Sequence, residues 1–284
     1  MPDVTRPLSP PTIVFSHANS FPASTYRALL DAWREAGYQV HAIEKFGHDP
    51  RYPVTANWPH LVRQLKDFID GEVGHPVYLV GHSLGGYLSM MLASRHPEMA
   101  LGVVVLDSPL LHGWRAWSLR LAKTLGLADR VMPSGVAAQR RQEWPSLEAV
   151  REHFIAKPKF AAFHPGVFDA YVQHGTEHHP SVARRLSFSR DIESRIYKSM
   201  PVQLVDEFQR HPPACPLAFI GGTRSRELHA VKLGGVRRVV GSANMSWIAG
   251  THLYPLEHPQ ATVAEVLRWL THFQTPPIPD IATR

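Results

Sequence analysis

The 284-residue chain has a single cysteine, Cys215, so no disulfide can form within it. That absence fits a reducing compartment, and a cytoplasmic location is expected. No run of about 18 apolar residues is present, so no membrane span is expected. Met1-Pro2-Asp3-Val4-Thr5-Arg6 lacks the apolar stretch of a signal peptide. Long basic runs and repeated aromatic–basic patterns are missing, so no nucleic-acid partner is expected. No internal repeat is visible. His174 and His178 stand four apart with His179 adjacent, a spacing a metal could use. Gly175 and Pro180 spoil a helical display of them, and no carboxylate cluster joins them. Neither a metal nor a cofactor is expected.

Hydrophobic residues make up 44% of the chain, enough for a sizeable core. The length suits one large α/β domain, or a core with an insertion. The net charge of +6 is uneven. Between Pro109 and Pro212 there are 15 Lys/Arg against 10 Asp/Glu, a net +5, and the rest of the chain carries +1. A basic segment can steer anionic substrates or touch a membrane surface. Scattered charges on a solvated face are the plainer reading.

Strand and helix signals alternate through the first hundred residues. Thr12–Phe15, Tyr38–Ile43, Val77–Val80 and Gly102–Asp107 read as strands. Ser24–Glu35, Trp58–Ile69 and Leu84–Ser94 read as helices. Apolar residues at 58, 61, 62, 65, 68 and 69 keep a 3.6-residue period. Such β–α units predict a parallel sheet covered by helices on both faces. From about Pro109 to Pro212 the alternation is lost. Trp114, Trp117, Leu121 and Leu125 form one helical stripe, Ser146–Ala156 suggests a helix capped by Ser146, and Gly166–His174 another stopped by Gly175. This segment reads as a mainly helical cap. The α/β pattern resumes at Leu217–Ile220 and Val236–Val240, and a last helix runs from about Gln260 to Phe273. The expected division is a core of 1–108 and 213–284 with a cap of 109–212.

The run Gly81-His82-Ser83-Leu84-Gly85-Gly86 directly follows the apolar strand Val77–Val80. This is G-x-S-x-G, the pattern of a nucleophile elbow. A sharp strand-to-helix turn exposes a serine oxygen and aims backbone N–H groups and a helix N-terminus at it. A serine needs a base to take its proton, and the base needs an orienting acid. In this arrangement the order along the chain is serine, acid, histidine. His252, in Ala249-Gly250-Thr251-His252-Leu253, lies where the base is expected. His258 is a rival only six residues on, at the entry to the last helix.

Together with Ser16-His17-Ala18-Asn19-Ser20-Phe21-Pro22 after the first strand and the late Gly250-Thr251-His252, these residues resemble the α/β-hydrolase superfamily. The likeness spans about residues 10–108 and 214–273, and its nearest type is a serine esterase with a helical cap. It implies an α/β fold with a mostly parallel sheet, and a cap inserted after the strand that follows the nucleophile helix. It also implies an oxyanion hole made by the backbone N–H groups of Leu84 and Asn19, with Ala18 the alternative to Asn19.

The acid has two candidates. Relatives usually place it in the loop after the strand Leu217–Ile220, but the usual position falls near Ser225 or Arg226. Glu227 is displaced by one or two residues. Some esterases instead take the acid from the end of the strand after the nucleophile helix, where Asp107 stands, with a serine such as Ser225 as auxiliary. Substrate-pocket candidates are His17, His82, Trp114, Trp117, Phe168 and Tyr171, with Phe163 and His174 beside them. The expected activity is hydrolysis of a small-molecule carboxylic ester, thioester or lactone through an acyl-enzyme. Alternatives are a non-catalytic small-molecule receptor, an acyltransferase, a carbon–carbon bond hydrolase or a perhydrolase. Nothing in the sequence fixes the oligomeric state.

Overall fold

The computed structural model describes residues 10–113, 116, 118, 135 and 139–275. Six parallel strands form the central sheet. They are β1 (Thr12–Ser16), β2 (Gln39–Ala42), β3 (Val77–His82), β4 (Ala100–Leu106), β8 (Leu217–Gly222) and β9 (Met245–Ile248), in the spatial order β2-β1-β3-β4-β8-β9. Side chains alternate across the pleat. Ile13, Phe15, Val80, Val104, Leu106 and Ile220 face one apolar cluster, with α1 (Arg27–Glu35) and α12 (Pro259–Gln274). Val14, Leu79, Val103, Val105 and Phe219 face the other, with α2 (Pro59–Glu72), α3 (Leu84–Arg95) and α10 (Gly234–Val240). Strands buried on both faces must be apolar throughout, which is why β3 and β4 read as unbroken hydrophobic runs.

The chain leaves this sheet after β4 and rejoins it at β8, which pairs directly with β4. Between them lie α4 (Leu147–Ile155), α5 (Pro158–Ala161), α6 (Pro165–His174), α7 (Arg190–Ser199) and α8 (Leu204–Arg210). Ser146 caps α4 by accepting from the Ala149 N–H, and Gly175 is the C-cap of α6. The expected helix on Trp114, Trp117, Leu121 and Leu125 lies outside the described residues. The insertion is not purely helical. β5 (Glu143–Trp144), β7 (Ala183–Leu186) and β6 (Thr176–His179) form a small antiparallel sheet. Its strands are short and polar, so they carry no period-2 apolar signal. Among the described residues, buried side chains of the insertion join the same two clusters as the sheet. Phe154, Phe160 and Tyr171 pack on the α1 side, and Phe188, Ile196 and Leu204 on the other.

Val236–Val240 is helical, not a strand. Its buried residues, Val236 and Val240, are four apart, one helical turn. The last strand is instead Met245–Ile248, with Trp247 45% exposed. An edge strand buries only part of its side chains, so it reads weakly in sequence. The remaining elements, α9 (Arg226–Val231) and α11 (Tyr254–Glu257), sit in the loops that follow β8 and β9.

Candidate active site

Ser83 stands between β3 and α3 at φ 53° and ψ −112°, a conformation that costs a non-glycine residue on the order of 1–3 kcal/mol. The surroundings hold it there. Its N–H donates to the Leu106 carbonyl at 2.9 Å. Its own carbonyl accepts from Gly86 N–H at 3.0 Å and from the Ser108 hydroxyl at 2.7 Å. A Cβ on Gly85 would meet the Ser16 carbonyl oxygen at 1.9 Å, so the elbow can press against the end of β1 only with glycine there.

The histidine expected from chain order meets this serine. His252 Nε2 lies 3.0 Å from Ser83 Oγ, and His252 Nδ1 lies 2.7 Å from Asp107 Oδ1. Asp107 ends β4 at φ 49° and is fully buried. Its carboxylate takes two further bonds at 2.7 Å, from the Ser225 hydroxyl and from the Gly222 N–H. A buried carboxylate needs such donors to offset lost hydration. Ser225 in turn caps α9 by accepting from the Leu228 N–H. Glu227 is exposed on the first turn of that helix. His258 is exposed too, as the N-cap residue of α12.

The His252 loop has a brace of its own. Glu257, almost buried, accepts from both the N–H and the hydroxyl of Thr251. Gly250, at φ 153°, passes close to that carboxylate.

A second histidine ties this loop to the segment after β1. His82 is fully buried, and its Nε2 lies 2.9 Å from the His252 carbonyl oxygen. A carbonyl only accepts, so Nε2 carries the proton. Burial, its largest cause, drives the His82 pKa well below the usual histidine range. Nδ1 therefore accepts from the Tyr26 hydroxyl at 2.8 Å, and the Tyr26 oxygen accepts from the Ala18 N–H at 3.3 Å. The Ala18 N–H is thus spent on Tyr26. Leu84 opens α3, so its N–H has no carbonyl within its own helix. The Asn19 side-chain amide donates to the Glu193 carbonyl at 3.1 Å, which joins this segment to α7.

Several expected pocket residues are buried. His17 is fully buried; its Nδ1 donates to the Ala18 carbonyl and its Nε2 accepts from the Phe46 N–H. Desolvation is the main cause that lowers its pKa to about 4, and the ring stays neutral. Neither His17 nor His82 has a free ring nitrogen to offer a ligand. Tyr171 is fully buried with its hydroxyl bonded by Arg140, and Phe163 and Phe168 are buried in the same cluster. His174 is exposed at the end of α6. Trp114 and Trp117 lie outside the described residues. Sequence reasoning gave no sign of Tyr26, Glu257 or the Arg140–Glu193 ion pair at 2.6 Å. Each acts on a partner far along the chain or across a loop, and no motif marks such pairs.

The sequence pattern of the alpha/beta hydrolase family matches residues 13–266, and the chain belongs to that family. It is 30% identical over 101 residues to a pyrethroid hydrolase of Sphingobium wenxiniae, covering 34% of this chain and 36% of that protein. It is 31% identical over 129 residues to Lipase LipV of Mycobacterium tuberculosis, covering 42% and 49%. The chain thus matches about a third to a half of the length of these relatives. Among solved structures it superposes on E-2-(acetamidomethylene)succinate hydrolase with a TM-score of 0.71 at 16% identity, over 92% of this chain and 91% of the other. A thioesterase domain from the curacin biosynthetic pathway gives 0.69 at 16%, over 91% of each. At that identity the likeness speaks for the fold.

Proposed function

We propose that the protein is a serine hydrolase that cleaves a carboxylic ester, or a related thioester or lactone, through an acyl-enzyme. The observation that carries this reading is the hydrogen-bonded series Ser83–His252–Asp107, at 3.0 and 2.7 Å. Ser83 and His252 are partly open to solvent, while Asp107 is sealed. A nucleophile and base must meet substrate and water, whereas the acid works best shielded from both.

In this scheme His252 Nε2 takes the Ser83 proton as Oγ bonds to the carbonyl carbon. The new oxyanion rests on the Leu84 and Asn19 N–H groups. Asn19 is preferred because the Ala18 N–H is already bonded to Tyr26. The tetrahedral species collapses, the C–O bond to the leaving group breaks, and His252 gives the leaving oxygen its proton. Water then attacks the acyl carbon, passes a proton to His252, and the acid departs as Ser83 regains its hydrogen. Asp107 holds the Nδ1–H tautomer and stabilises the imidazolium that forms twice per turnover. The insertion, residues 109–212, serves as a cap that shapes the substrate site.

Hydrolysis of p-nitrophenyl esters from acetate to palmitate tests the reading. Wild type should release nitrophenol, and Ser83→Ala should lose at least about a thousandfold in kcat. Full activity in Ser83→Ala would overturn it.

A further inference from the structure

Among the described residues, four basic side chains of the insertion lie against aromatic rings. Arg141 sits over Trp144, Arg151 over Phe168 and Lys157 over Phe154. Lys159, on α5, sits 5.3 Å from the Phe21 ring and 5.7 Å from Phe160. Phe21 sets Lys159 apart, because it lies outside the insertion. Its N–H closes a turn onto the Ala18 carbonyl at 3.1 Å, and Asn19 lies inside that turn. The ammonium therefore stands at the edge of the segment that borders Ser83.

The charges around it point the same way. Lys159 lowers the pKa of His82, the residue before Ser83. Lys159 itself feels Glu193, whose carbonyl holds the Asn19 side chain, and Glu227, two residues beyond Ser225. Other cations nearby are already paired, Arg140 with Glu193 at 2.6 Å and Arg151 with Asp169 at 2.7 Å. Among the described residues no carboxylate lies within 4.0 Å of the Lys159 ammonium. The side chain reaches solvent, and the protein around it, with Arg140 adding to the effect, lowers its pKa. An ammonium in that position has no carboxylate partner among the described residues, and a bound anion would supply one.

We propose that Lys159 is a specificity-determining residue that selects esters bearing an anionic group, a carboxylate or phosphate, at the end of the molecule away from the scissile bond. This rests on the ester-hydrolase reading and adds to it a substrate class. The two aromatic faces fix the ammonium, so it recognises charge at a set place and not charge in general.

The test is kcat/KM for p-nitrophenyl hemiglutarate, p-nitrophenyl valerate of the same length, and a phosphate-terminated ester of the same length. Each is measured with wild type, Lys159→Gln, Lys159→Glu and the distant Lys66→Gln. Wild type is expected to prefer one or both anionic esters, and which one tells carboxylate from phosphate. Lys159→Gln should cut the anionic-to-neutral ratio about tenfold, Lys159→Glu should cut it further, and Lys66→Gln should leave it unmoved. A wild-type ratio near one, or a ratio unchanged in both Lys159 variants, overturns the proposal while turnover of the neutral ester leaves the hydrolase reading intact. Equal loss on all esters marks a structural lysine and also overturns it. An enzyme inert towards all of them overturns the hydrolase reading and this proposal with it.

Discussion

The sheet that carries Ser83 and the insertion that follows β4 are made differently. The sheet side is built from backbone. Ser83 and Asp107 both have positive φ at strand ends, and main-chain groups of Leu106, Gly86 and Gly222 bond to them. The insertion side is built from side chains: the rings of Phe160, Phe163 and Tyr171 pack at a tilt on Phe21, Phe154 packs edge-on against Tyr171, and cations lie over Phe154 and Phe21. A reacting constellation must be held to within about half an ångström, and strand ends braced by main-chain bonds can do this. On the proposed reading the insertion is the recognition surface, which needs shape and charge, and side chains on packed helices can vary these without moving the strands. The two halves should therefore fail in different ways when altered.

The largest expected effect is on the backbone-built half. Asp107→Asn keeps the shape but removes the carboxylate that sets the His252 tautomer, and kcat on a neutral ester should fall by about 10⁴. Glu227→Gln, on an exposed turn, should stay within about twofold of wild type on that ester. The reverse result would move the acid to the loop after β8.

Next comes stability against pH, which reads the buried histidines of this same half. Burial lowers His17 from 6.5 to about 4, so between those values the unfolded chain binds a proton that the folded chain refuses. Stability is therefore full above about 6.5 and is lost as pH falls towards 4, by about 3 kcal/mol from His17. His82 is lowered as well and acts in the same direction. Urea unfolding at pH 7.0 and 4.5 should show the midpoint falling with acid. A midpoint that holds or rises would mean these rings are not neutral and sealed.

The smallest effect sharpens the link between the loops. Tyr26→Phe removes the hydroxyl that bridges Ala18 to His82 and frees the Ala18 N–H. Losing those two bonds should lower kcat by about tenfold with KM little changed. An unchanged kcat would leave the bridge without a part in positioning His252.

The same contrast explains what was legible in the sequence. β3 and β4 announced themselves because a strand covered on both faces must be apolar throughout. Ser83 stood out because its turn requires small residues at fixed offsets, and His252 because chain order fixes where the third group comes from. Whether Asp107 or Glu227 meets His252 was open. It depends on where the chain after β8 turns, and there Ser225 caps α9 and leaves Glu227 outside. Val236–Val240 misled because valines suit strands, while the spacing of its buried pair belongs to a helix. The small sheet of the insertion and the place of Lys159 against Phe21 left no pattern. The sheet pairs short polar strands such as Trp144 with Arg184, and Lys159 meets a ring on a segment far earlier in the chain, contacts that no local spacing encodes.

The central claim is that Ser83 is the nucleophile. It is tested most directly by reacting the protein with an organophosphonate and locating the adduct by peptide mass spectrometry. A phosphonyl group on the peptide containing Ser83, absent from Ser83→Ala, is the predicted result. A protein that takes up no label, or that carries it on another residue while Ser83→Ala still turns over ester, would contradict it.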